Sequence, residues 1–351
     1  MPAHHDALLP YWPPVHVATA SLESLTEFLQ VRGWMAPGNH LTGRTCLREG
    51  EAATTVRVTA DAGPPCILRQ GAAAHDDETG RSTTVVDRVG VEGEFYRLVQ
   101  ASPTAAAAMP ACIGVDRSDR TVALEDLGAA SPLHALYDGS TLSPADAAQL
   151  TRYLVALHGI DAADADFDPV DLDAIRRARH AERFEEPIAP RRVEALAARV
   201  PGLERRVDAI RTDLHIRATM RDIGGRFLEG RGVLLHGDFR PARWMPSPAG
   251  LRVLSPGFAS AGPPSLDVGF FVAHLLLARQ PHALVAGVLE RYRRDAPLDL
   301  ADVSACVGLE IIRGRLGRRP VPCDPSPPRL IDEVDYATRL LRGGATVELP
   351  L

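Results

Sequence analysis

Lysine is absent from this chain: all 39 basic residues among its 351 are arginine, and Asn39 is the sole asparagine. The arginine surplus, together with abundant Ala, Gly and Pro, follows the codon bias of a GC-rich genome, but its chemical consequence stands whatever the cause. A guanidinium stays protonated at any working pH, so mechanisms that need a lysine Schiff base or a general-base amine are excluded. The five cysteines (Cys46, Cys66, Cys112, Cys306, Cys323) are odd in number, scattered and never in CxxC spacing. That pattern disfavours both a disulfide framework and a zinc site, and points to reduced thiols in or near a core. No apolar run approaches the length of a membrane span, because the longest, Val268 to Ala278, is interrupted by His274. The first residues, MPAHHDALLPYWPP, have neither a basic n-region nor an apolar h-region, which makes the cytosol the expected compartment. A net charge of -6 without a basic stripe argues against nucleic acid as a partner. No GxSxG or GxxxxGK[ST] sequence occurs, and the histidines, His4 and His5 included, show no metal-ligand spacing.

A hydrophobic content of 45% in a chain of this length supports one large core or two. Leu22, Leu25, Phe28 and Leu29 repeat at helical spacing behind a Ser21 cap, predicting a helix over 21–33. Strand-like segments follow at 42–47, 54–59 and 66–70, then a helix around 85–100 and two short strands at 111–116 and 121–127. The first 127 residues therefore read as a small α+β lobe, and residues 128–351 as a helical one. In that second lobe the best-signalled helix is 144–158, with Ser143 as cap, Pro144 at its first position and Gly159 at its stop. Further helical patterns cover 172–184, 191–200, 203–228, 266–278, 282–293, 300–316 and 330–341. Between them, 233–254 reads as two short strands bracketing a loop.

That loop opens on His236-Gly237-Asp238 directly after an apolar strand, a placement that presents an aspartate to a substrate hydroxyl as base or orienting acceptor. Downstream, SPGFASAGPPSLDVG leads into the apolar helix, with Asp267 at its start. A capping or clamping role fits Asp267 better than a ligand role, and His236 is placed to brace the loop.

These two segments resemble the methylthioribose kinases within the aminoglycoside phosphotransferase and choline kinase group. That family reads His-Gly-Asp-Leu-His-Thr-Gly-Ser and then Asp-Pro-Glu-Phe-Ala-Phe-x-Gly-Pro-x-x-Phe-Asp-Ile-Gly. Upstream, LREGEAATTVRV is similar to the family's glycine loop and strand, CILRQ to its Lys-Gln strand, DRVGVE to the helix carrying a partner glutamate, and VALEDL to the hinge. GLEIIRGRLG resembles a segment with paired substrate-binding arginines. The resemblance runs from about residue 40 to 345 and implies an α+β, protein-kinase-like bilobal fold with a small β-rich N-lobe and a larger helical C-lobe. It further implies ATP as the nucleotide, Asp238 as catalytic base, Arg69 and Glu92 as the nucleotide-strand cation and its partner, and Arg313 as a substrate-binding residue. A helix-end cap or an exposed position is the plainer reading of Arg313.

The departures from the pattern concern the metal. Ser255 and Gly257 stand where the family has Asp and Glu, and Arg243 stands at the loop position that is Asn in many relatives and Ser in methylthioribose kinases. A guanidinium about 5 Å from a divalent ion repels it by roughly 6 to 7 kcal/mol at an effective dielectric of about 20. Codon bias does not explain the loss, because GC-rich codons encode Asp and Glu readily. Two-carboxylate magnesium binding is therefore not expected, and no metal ligand is assigned. The glycine loop carries Glu51 after Gly50, and Gly314 replaces the second arginine of the substrate pair.

Three readings remain open from the sequence. The first is a pseudokinase that keeps a cleft in which Arg69, Arg240 and Arg243 bind a nucleotide or phosphorylated small molecule without metal. The second is an active ATP-dependent kinase that phosphorylates a sugar or alcohol hydroxyl with Asp238 as base. The third is a different reaction on the same scaffold. For each of these arginines, a surface salt bridge is the plain alternative.

Overall fold

The computed structural model describes residues 15–50, 53–72, 75–76, 82–83, 87–162, 169–318, 320–323 and 325–343. His4, His5 and Glu51, singled out above, lie outside them. The chain divides into two compact units. One holds the described residues up to Gly93 together with Ala111–Asp126, and the other holds Glu94–Pro110 and the chain from Leu127 onward.

The first unit begins with helix α1 (Leu22–Val31), whose cap is the Ser21 hydroxyl accepting from the Ser24 amide at 3.0 Å. Strands β1 (Leu41–Arg48), β2 (Ala53–Ala60) and β3 (Cys66–Gly71) form the expected meander, and a two-residue ladder joins β4 (His75–Asp76) to β5 (Ser82–Thr83). Helix α2 (Arg88–Val99) follows and carries the chain into the second unit. Beyond it, after α3 (Pro103–Ala107), β6 (Cys112–Asp116) and β7 (Thr121–Glu125) complete an antiparallel sheet of order β1-β2-β3-β7-β6. Along β2, Thr54, Val56 and Val58 are buried at every second residue, as a strand with one covered face requires. Val56 and Val58 pack with Leu25, Phe28 and Leu29 of α1 and with Leu68 of β3.

The second unit is mostly helical: α4 (Pro144–His158), α5 (Pro169–His180), α6 (Pro190–Ala197), α7 (Leu203–Thr212), α8 (Leu214–Glu229), α9 (Ser265–Leu277), α10 (His282–Asp295), α11 (Leu300–Leu316) and α12 (Pro327–Leu341). The single helix expected over 203–228 is in fact two. Asp213 adopts an extended conformation, and its carboxylate accepts from the amides of His215 and Ile216, so it caps a new helix in mid-pattern. Every residue of α9 is buried, consistent with a helix apolar on all sides. No helix among the described residues is long and apolar enough to cross a membrane.

The loop after β8 (Val233–Leu235) holds more order than two strands bracketing a loop. Within it, β9 (Trp244–Ser247) and β10 (Gly250–Val253) pair with each other as a hairpin. Strand β8 pairs instead with β11 (Ser260–Gly262), three small residues with no strand signature of their own. This ladder brings the HGD segment beside the stretch containing Ser255 and Gly257. Phe239 anchors the turn: it is fully buried, stacked on Tyr153 at 5.7 Å and edge-on to Phe271 at 5.3 Å. Burial of that one ring stabilises the loop by about 2 to 3 kcal/mol.

Candidate functional site

The backbone of the loop is held from behind. Asp267, at the start of α9, is completely buried and accepts from the amides of His236 (2.6 Å) and Gly237 (3.0 Å). Burial alone would raise its carboxyl pKa, but the contacts with His158 and His236 outweigh burial and hold it below the ordinary carboxylate value. His236 accepts at Nδ1 from the Asp238 amide (3.2 Å), which leaves the proton on Nε2, facing the Leu254 carbonyl at 3.1 Å. Burial lowers its pKa, so the ring is neutral at physiological pH. Gly237 has a φ of 76°, and a Cβ there would lie 2.0 Å from the Phe258 carbonyl oxygen, so the turn admits only glycine. His236 and Asp267 thus both brace the loop.

Asp238, 5% exposed, is engaged by guanidinium groups on both carboxylate oxygens. Oδ1 accepts from Arg240 Nε at 2.9 Å and Arg179 Nη2 at 3.4 Å, while Oδ2 accepts from Arg243 through Nε at 2.8 Å and Nη2 at 2.7 Å. Burial would raise this carboxyl pKa, yet Arg243, Arg240 and Arg179 together hold it well below the ordinary range. A carboxylate so held is a poor proton acceptor, because a transferred proton must displace three charged donors. The surface salt bridges considered for Arg240 and Arg243 are therefore internal pairs with the loop aspartate itself. Each remains partly accessible, Arg240 at 31% and Arg243 at 19% of its side chain.

Two further arginines stand behind the loop. Arg183 donates from Nη2 to the Gly237 carbonyl at 2.7 Å, and Arg179 reaches the same oxygen at 3.4 Å. They sit one helical turn apart, Arg179 at the end of α5 and Arg183 in the π-turn Ala181–Glu185 that follows it. Arg179 pairs with Glu182 at 2.5 Å and lies over the Phe258 ring. Glu182 faces Arg313 at 3.9 Å, and Arg313 is bound through Nε to both oxygens of Glu310 at 2.8 Å. His274 Nε2 meets the same Glu310 at 3.0 Å and its Nδ1 meets the Tyr137 hydroxyl at 2.7 Å. A continuous buried polar chain thus runs from Tyr137 to Asp238. Arg313 is neither exposed nor at a helix-end cap. It is 5% exposed and committed to Glu310, which burial would raise but which Arg313 and His274 hold far below the ordinary value. Gly314 is closely packed, since a Cβ there would lie 3.0 Å from a Val321 methyl and 3.1 Å from a Leu277 methyl.

The remaining two assigned residues pair with each other in the first unit. Glu92 on α2 is fully buried and meets Arg69 of β3 at 3.2 Å. Arg179, Arg183, Glu182 and Glu310 were not identified from the sequence. The only trace they leave is spacing, Arg179 and Arg183 four residues apart and Glu310 three before Arg313, and that spacing is common on solvated helices.

The positions that the resemblance gives to metal ligands carry no carboxylate here. Ser255 has a φ of 56° and no carboxylate, Gly257 has no side chain, and both oxygens of Asp238 are occupied by cations. Among the described residues no group of three His, Cys, Asp or Glu side chains could hold a metal.

A model of the phosphotransferase enzyme family matches residues 45–302, most of the chain and all of the loop just described. The chain belongs to this family. Methylthioribose kinase from Exiguobacterium sibiricum is 34% identical over 98 residues, which is 28% of this chain and 24% of that protein. Methylthioribose kinase 1 from Oryza sativa subsp. japonica is 31% identical over 97 residues, 27% of this chain and 23% of that protein. The aligned part thus spans about a quarter of the length of these relatives. The crystal structure of choline kinase LicA from Streptococcus pneumoniae superposes with a TM-score of 0.51 at 12% identity, covering 91% of this chain and 98% of that one. That likeness establishes the protein-kinase-like fold, and with it the α+β class.

The buried groups of this site fix its acid sensitivity. For His236 and His274 burial lowers the folded pKa below 6.5, so as pH falls through that value the unfolded chain binds protons that the folded one cannot, and stability drops. For Asp238, Asp267, Glu182 and Glu310 the folded values are also lowered. Their contribution is complete above the ordinary values of 3.8 and 4.5 and is lost as pH falls through the folded ones. Urea denaturation followed across pH should show a midpoint that begins to fall near about pH 6.5 and falls again, more steeply, below about pH 4.

Proposed function

We propose that this member of the phosphotransferase enzyme family has lost ordinary ATP–magnesium transfer and acts as a ligand-binding protein, a pseudokinase whose arginines hold a nucleotide or phosphorylated small molecule without a divalent ion. One observation carries this reading: both oxygens of Asp238 are occupied by Arg240, Arg243 and Arg179, in a loop whose two family metal positions are Ser255 and Gly257. A base must be free to take a proton and a metal must find anionic oxygens. The same set of contacts removes both conditions. ATP is the nucleotide that family membership suggests. A methylthioribose-like sugar is a poor candidate, because Arg313 is bound to Glu310 and Gly314 stands where the family has a second arginine.

A second reading, an active small-molecule kinase, is favoured by the Arg69–Glu92 pair and the Asp267 clamp, the parts of a transfer scaffold that are still assembled. The two readings separate by turnover. With ATP, magnesium and a panel of sugars and amino alcohols, the wild-type protein is expected to release ADP no faster than Asp238→Asn. ADP formation that disappears in Asp238→Asn would establish the second reading.

A further inference from the structure

Among the described residues, five guanidinium groups of the polar chain behind the loop (Arg179, Arg183, Arg240, Arg243, Arg313) face three carboxylates (Asp238, Glu182, Glu310), a surplus of two positive charges in that set. Asp267, on the far side of the loop backbone, reduces the surplus to one if it is counted. Arg183 makes the imbalance local. It is 3% exposed and lies over the Phe270 ring at 4.1 Å, and among the described residues its sole hydrogen bond is to the Gly237 carbonyl, its Nε has no hydrogen-bond partner, and no carboxylate lies within salt-bridge distance. Burial and the neighbouring Arg179 push its pKa down to about 9 against the pull of Glu310 and Glu182, which act on it from beyond salt-bridge distance, so the guanidinium stays charged at physiological pH. Burying a guanidinium without a carboxylate in direct contact is costly, and an added anion nearby offsets part of that cost. The accessible end of the cluster is Arg240, which among the described residues spends only its Nε, on Asp238, and has no hydrogen bond at either terminal nitrogen.

We infer that the accessible face of Arg240 and Arg243 is the seat of a phosphate monoester dianion, which competes with Asp238 for their guanidinium groups and needs no metal. This deepens, and rests on, the anion-binding reading above. The class of ligand follows from the competitor. Asp238 already offers one carboxylate from within the chain, so a free carboxylate gains nothing by exchanging with it. A phosphate monoester brings nearly two negative charges and three acceptor oxygens, enough to meet the surplus and to accept a guanidinium fork from each arginine. Inorganic phosphate has the same chemistry without the ester.

The test is calorimetric titration in excess chelator with phenyl phosphate, benzoate and inorganic phosphate. Phenyl phosphate should bind, benzoate at least tenfold more weakly, and inorganic phosphate should compete for the same site. Arg240→Gln should weaken phenyl phosphate at least tenfold. Arg183→Met, which touches no ligand, should weaken it several-fold while leaving the unliganded melting temperature unchanged or higher, whereas Arg221→Gln, an exposed control on α8, should change nothing. Equal binding of benzoate and phenyl phosphate, or indifference to Arg240→Gln, would overturn the inference. Phenyl phosphate binding in chelator together with Asp238-dependent ATP turnover leaves this inference standing and removes the proposed function. Metal-free ATP binding that phenyl phosphate cannot displace does the reverse.

Discussion

Asp238→Asn should tighten phosphate monoester binding about tenfold and at the same time destabilise the unliganded protein by about 3 kcal/mol. The two effects share one cause. In the wild type the carboxylate is the counter-ion of Arg240, Arg243 and Arg179, at 2.9, 2.7 and 3.4 Å. Its removal leaves three guanidinium groups facing a neutral amide, and breaking a buried ion pair from one side costs about 3 to 5 kcal/mol. The lower end applies because Arg240 and Arg243 reach solvent. A phosphate that previously had to displace Asp238 then meets arginines that lack a carboxylate, so ligand binding recovers part of the lost stability. Urea denaturation with and without phenyl phosphate reads both quantities. A catalytic base would behave otherwise: the amide would leave phosphate affinity unchanged or weaker and stability nearly unaltered.

The second large effect is expected behind the loop. Asp267→Ala should cost about 3 to 5 kcal/mol, because the amides of His236 and Gly237 lose a shared anionic acceptor in a fully buried setting and each unsatisfied amide costs about 1 to 3 kcal/mol. Asp267→Asn keeps one acceptor oxygen and should cost less than half as much. Hydrogen exchange localises the effect, since the His236 and Gly237 amides should lose protection before the rest of α9. An Asp267→Ala protein within 1 kcal/mol of wild type would show that the clamp is dispensable.

Much of this site was legible in the chain because its signals are local. The His-Gly-Asp tripeptide after an apolar strand places the loop. The glycine is the one residue that tolerates both the positive φ and the carbonyl of Phe258, and the following Phe239 supplies the anchor. Helix α4 was legible in the same way, since Ser143, Pro144 and Gly159 are its own punctuation. What was not legible is tertiary. Arg179 and Arg183 read as solvated helix charges until the π-turn aims them at the Gly237 carbonyl from a segment far away in sequence. The resemblance gives Arg313 a substrate-binding role, but its own helix places Glu310 one turn earlier and commits it there. The break at Asp213 was hidden because the apolar repeat continues on both sides, and a cap carboxylate outweighs a continuing pattern only when its two amides are in reach. Ser255 and Gly257 were read as absences. The structure adds that the acidic partner still present, Asp238, is itself neutralised.

If arginines, not a divalent cation, neutralise ligand charge at this loop, ATP binding is indifferent to magnesium. Calorimetric titration of the wild-type protein with ATP, once in excess chelator and once in excess magnesium, should give dissociation constants within about threefold of each other, with chelator no worse than magnesium. Binding seen only in magnesium, or tightened tenfold or more by it, would show that a divalent cation carries the ligand charge instead.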